Sequence, residues 1–143
     1  MGLISFLKKL LEGDVEEIQE VKETYIGTIG RKSSLLLEQI ESATTDKSGD
    51  ELKEGIRKSL RNVEEILDLL RSTRPDPGYF RAHYNYVKAM ECFEDWLTSW
   101  MNNDLSKMEK IKMKLNDLID KVNRDYKGRI NLYLSIRSNP PNV

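Results

Sequence analysis

Cysteine, histidine and proline are all scarce in this chain. A single cysteine among 143 residues, Cys92, cannot form an internal disulfide, so nothing marks a stapled secreted domain. One histidine, His83, and one cysteine are too few for a Cys/His zinc site. The Glu-x-x-His pairs of a di-metal carboxylate bundle are missing too, because Phe80 stands three residues before His83. No apolar run exceeds Leu35-Leu36-Leu37, against the roughly 20 residues a spanning helix needs. Neither sign of charge dominates. With 23 basic and 24 acidic residues the formal net charge is −1, which excludes a globally basic nucleic-acid binder but leaves room for a local basic face.

Glycine-rich phosphate loops are absent as well. Gly27-Thr28-Ile29-Gly30-Arg31-Lys32 lacks both their spacing and their strand context. Cys92 and His83 are nine residues apart, about 13 Å along a helix and on different faces, so they cannot form a nucleophile–base pair. Glu91 and Asp95 share a polar face with Arg81 and Lys88, while Glu94 stands at the edge of the apolar arc with no second carboxylate there. No catalytic, metal or cofactor residues are assigned, and no small-molecule substrate is inferred.

What the chain does have is helical periodicity. Its four prolines, Pro75 and Pro77 in mid-chain and Pro140 and Pro141 near the end, leave two long stretches that a helix can occupy. Both repeat apolar residues at a period of 3.6. The predicted helices span residues 14–43, 51–73, 79–102 and 105–137, with capping boxes at Asp14/Glu17 and Ser106/Glu109. Gly27 and Gly30 are where the first would kink or break, and Gly128 is the weak point of the last. Short connections make neighbours antiparallel, giving an all-α, up-down-up-down four-helix bundle. Residues 1–143 form one domain, with a short amphipathic segment at 1–12 and a flexible tail at 138–143.

The expected core faces are Val15, Ile18, Val21, Tyr25, Ile29, Leu36 and Ile40; Leu52, Ile56, Ser59, Val63, Ile66, Leu67 and Leu70; Tyr79, His83, Tyr86, Val87, Met90, Phe93, Leu97 and Trp100; and Met108, Ile111, Leu115, Leu118, Ile119, Val122, Tyr126, Ile130 and Tyr133. His83 lies within the third face and reads as a buried, hydrogen-bonded core residue.

Three surfaces remain as candidates. The third helix holds seven of the eleven aromatic residues; Tyr84 falls on its polar side, and Phe80 and Trp96 at the margins of its core arc. Together with the off-centre Leu35, Leu69 and Leu132, these form a candidate protein interface. Leu3, Ile4, Phe6, Leu7, Leu10 and Leu11 make a segment that packs on the bundle, docks a partner or lies in a membrane interface. Lys107, Lys110, Lys114 and Lys121 share one face of the last helix, interrupted by Asp117, and form a candidate anion-binding face for RNA or anionic lipid. The N-terminal pattern is neither that of a secretory signal nor that of a myristoylation site, so the expected compartment is the cytoplasm. The overall reading is a non-enzymatic helical module that binds protein, itself or another, with a peripheral membrane adaptor or a small RNA-associated subunit as alternatives.

Overall fold

A computed structural model describes residues 24–134, 136 and 140–143. The predicted helix start at Asp14, the expected core residues Val15, Ile18 and Val21, and the amphipathic segment from Leu3 to Leu11 lie outside those residues. Among the described residues there are four helices and no strand: α1 (Tyr25–Thr44), α2 (Gly49–Ser72), α3 (Phe80–Met101) and α4 (Leu105–Asp125).

Local chemistry sets the ends. The Thr24 hydroxyl accepts the Gly27 N–H at 3.0 Å and caps α1, which then runs unbroken through Gly27 and Gly30. Asp50 and Glu51 in the first turn of α2 and Arg71 in its last turn suit the helix dipole. The Arg74–Gly78 turn separates α2 from α3, with Gly78 at φ +97°. The N-cap of α4 is Asp104, whose carboxylate accepts the Lys107 N–H at 3.1 Å, two residues before the capping box expected at Ser106.

The start of α1, the end of α2, the start of α3 and the end of α4 meet at one end of the bundle. There the Tyr25 hydroxyl lies 2.6 Å from His83 Nδ1 and 2.8 Å from the Tyr126 hydroxyl, and His83 Nε2 lies 2.7 Å from the Leu70 carbonyl. Successive helices therefore alternate in direction. The expected core faces of α1 and α2 are buried throughout, as are Met90, Phe93, Leu97, Trp100, Leu115 and Val122. Contacts run α1 to α2, α2 to α3 and α3 to α4.

The fourth helix ends twelve residues earlier than its predicted limit. Tyr126 closes it, and Lys127 and Gly128 follow with φ of +55° and +80°, a left-handed pair that turns the backbone around. From there the chain runs extended, with Ile130, Leu132 and Leu134 buried and Asn131 and Tyr133 exposed. That strap fills the side between α1 and α4, whose backbones do not meet directly. Asn123 holds it with two bonds: its amide donates to the Leu132 carbonyl at 2.9 Å, and its Oδ1 accepts the Leu132 N–H at 2.6 Å. Tyr133, expected in the core, is 78% exposed, because an extended chain turns alternate residues outward. The end of the chain, expected to be a free tail, is also tied down. The Trp100 indole donates to the Pro141 carbonyl at 2.7 Å, and the Val143 N–H donates to Asn103 Oδ1 at 3.2 Å.

Candidate functional site

The bundle end carrying His83 has the most elaborate polar chemistry in the fold. The Leu70 carbonyl can only accept, so His83 Nε2 carries a proton. Tyr126 donates to Tyr25, and Tyr25 is left to donate to His83 Nδ1, a directed chain across four elements. Burial pushes the pKa of both tyrosines above the ordinary 10.0; the bond from Tyr126 lowers that of Tyr25 and raises its own. Tyr79 stacks on Tyr126 at 5.6 Å and covers the cluster. Every hydrogen-bonding atom of the imidazole is thus engaged, and His83 is buried and hydrogen-bonded, as expected from its place in the apolar face.

Cys92 is buried, and its thiol is pushed up by that burial, with Lys114 opposing the shift. Its sulfur lies 3.8 Å from the Ile111 carbonyl. Such a thiol is poorly ionised and weakly nucleophilic. The Glu94 carboxyl is also raised, first by desolvation and then by repulsion from Glu64, Asp95 and Glu91, against the pull of Arg71. Glu64 belongs to α2, so the helical wheel of α3 could not reveal this neighbour. Among the described residues no three His, Cys, Asp or Glu side chains cluster so as to hold a metal, and no helix is long and apolar enough to cross a membrane.

The surface candidates fare unequally. Phe80 and Tyr84, one turn apart on α3, are 56% and 60% exposed. They flank an open groove of about 660 Å³ at the α2–α3 turn, whose other walls come from Leu70, Ser72, Thr73, Pro75, His83 and Val87. Arg71 and Arg74 border the same groove, and the Lys88 ammonium sits 5.4 Å from the Tyr84 ring centroid. Arg71 also reaches Glu91 at 2.8 Å, an exposed pair that fixes the guanidinium beside the groove.

Trp96 and Leu132 do not belong to this surface. Each is only 2% exposed. Because α3 packs on both α2 and α4, its buried arc is wider than a single apolar stripe, and the Trp96 margin falls inside the core. There Trp96 stacks on Phe93 at 6.1 Å and tilts against Trp100 at 5.3 Å. Leu132 points inward because its segment is extended. Leu69 is half-buried against the core, and Leu35, 52% exposed on α1, lies outside the groove. Lys107, Lys110 and Lys114 are exposed along α4, whereas Lys121 is half-buried and paired with Asp117 at 3.0 Å. The residues missed from sequence, Arg74, Pro75 and Val87, had one available signal: the rigid proline turn that brings the end of α2 against the start of α3. No known protein family, characterised protein or solved structure matches this chain.

Proposed function

We propose that this chain is a non-enzymatic, cytoplasmic interaction module that binds an acidic segment of a partner protein in the groove between α2 and α3. The observation supporting this reading is the pair of large aromatic side chains, Phe80 and Tyr84, more than half exposed beside an apolar groove. Aromatic anchors at a groove are the usual carriers of interface energy. The charged side chains that line the groove itself, Arg71 and Arg74, are both cationic, which favours a partner of negative charge.

The test is a double replacement, Phe80→Ser with Tyr84→Ser. Both side chains are exposed, so the thermal melt stays near wild type. Binding to a partner, or to a second copy in a light-scattering concentration series, falls by about 2 kcal/mol or more for each anchor lost. Unchanged association with an unchanged melt would remove this face from consideration. Loss of liposome binding on deletion of residues 3–11, or RNA affinity that falls steeply with salt, would favour the adaptor or ribonucleoprotein readings instead.

A further inference from the structure

The strap that closes the side between α1 and α4 is joined to the bundle by a very short turn. Tyr126 before it is fully buried and hydrogen-bonded to Tyr25, and Ile130 after it is buried again. Only Lys127, Gly128 and Arg129 lie between, and all of them are exposed. The Arg129 N–H donates to the Tyr126 carbonyl at 3.0 Å and closes the turn. Lys127 is held there at φ +55°, a left-handed conformation that a residue with a Cβ resists. Gly128, at φ +80°, adopts the same hand without that cost. The sequence offers an alternative, because the helical spacing of α4 continues through Tyr126, Ile130 and Tyr133. Adding Lys127–Arg129 to α4 as right-handed helix removes the strain and carries the strap off its own body.

Beyond the turn the strap is held as a separate peptide would be. Asn123 bonds both the N–H and the carbonyl of Leu132, so it grips backbone, while Ile130, Leu132 and Leu134 supply the apolar face. The far end adds the bond from the Trp100 indole to the Pro141 carbonyl. None of these contacts requires strap and groove to belong to one chain. With its strap lifted away, the apolar groove between α1 and α4 stands open, and a second copy brings a strap of identical sequence.

The geometry points to this groove as a self-association site, at which two copies exchange straps through an opened hinge at Lys127–Gly128. Every strap contact of the closed monomer is remade between the copies, and the backbone of the hinges is what differs. The site is separate from the Phe80–Tyr84 groove and does not rest on that reading.

Hinge variants therefore move the balance in opposite directions. Lys127→Gly relieves the closed turn and weakens the helical one, so it should favour the monomer. Gly128→Ala does the reverse, and an added Cβ there meets nothing within 4 Å, so only the backbone is affected. Left-handed strain at one residue corresponds to about fivefold, and each chain of the dimer contributes one hinge, so the dissociation constant should shift by about 25-fold each way. Each full chain is unfolded in urea, refolded over a concentration series and sized by light scattering. Wild type should form dimers that increase with concentration.

A further variant ties the strap down. An added Cβ at Gly30 lies 3.6 Å from Ile130 Cγ1, so Gly30→Cys with Ile130→Cys, in a Cys92→Ala background, places two thiols within reach of a disulfide. Oxidised as a dilute monomer, that chain should stay monomeric at every concentration, and reduction should restore dimers. Absence of dimers in both wild type and Gly128→Ala, a dissociation constant that neither hinge variant moves, or equal dimer formation by the oxidised and reduced double-cysteine chain would each overturn the proposal.

Discussion

Adding one methyl group to each of two helical glycines should shift stability in opposite directions. Gly30 and Gly55 both sit inside helices, where alanine is preferred by roughly 0.5–1 kcal/mol. At Gly30 an added Cβ would lie 3.6 Å from Ile130 Cγ1, an ordinary van der Waals contact. The propensity term then acts alone, and Gly30→Ala should gain about 0.5–1 kcal/mol. At Gly55 the added Cβ would be driven into the Ala43 carbonyl oxygen and lie 3.0 Å from its carbon. Those atoms are backbone of α1, so neither a rotamer change nor a side-chain shift can make room, and the two helices must move apart. Overpacking of this kind costs about 1–3 kcal/mol and outweighs the propensity gain. Gly55→Ala should therefore lose about 1–2 kcal/mol net. For a chain of this size that is a fall of several degrees in Tm, at about 2–4 °C per kcal/mol. Urea and thermal unfolding of both variants beside wild type make the comparison. A Gly55→Ala protein with a raised midpoint would refute the close approach of α1 and α2 from which the sign was derived.

Asn123→Ala should leave the Leu132 N–H and carbonyl without their side-chain partners and cost about 1–3 kcal/mol, with the Leu132 amide losing its protection from hydrogen exchange before the helices do. Uniform loss of protection across the fold would show that the strap is not a separate unit. Glu94→Gln should be stabilising at pH 7, by less than about 1 kcal/mol because the carboxylate is only partly buried. The sign follows from a carboxyl raised above its ordinary 4.5: below that value it is neutral in both states, and as pH rises the unfolded chain ionises first, so the charge costs stability. The gain from Glu94→Gln should accordingly vanish below about pH 4 in melts across pH, and a gain that persists there would be due to something other than charge.

Much of the architecture is written in local pattern. Apolar residues at 3.6-residue spacing name the buried faces of α1 and α2, every one of which is covered by a neighbouring element. The proline-rich turn after Arg74 ends α2 by removing backbone donors and locking φ. Exposure of Phe80 and Tyr84 was legible for the same reason: one lies at the edge and one outside an arc that a wheel defines.

What failed was whatever depended on a second element. Trp96 stands at the margin of its own stripe, and only the packing of α3 between two partners turns that margin into core. Ile130, Leu132 and Leu134 alternate with polar or exposed neighbours, yet Tyr126, Ile130 and Tyr133 are also spaced as on a helix, so the two periods compete over one short segment. The left-handed turn at Lys127 and Gly128 decides between them, and it is stable because the side between α1 and α4 offers an apolar groove that an extended strap can fill. The Tyr25–His83 and Tyr25–Tyr126 bonds join residues 58 and 101 positions apart. Hydrophobic spacing along a chain decides which side of a helix is buried; which polar groups then face one another across the core is decided by the tertiary packing alone.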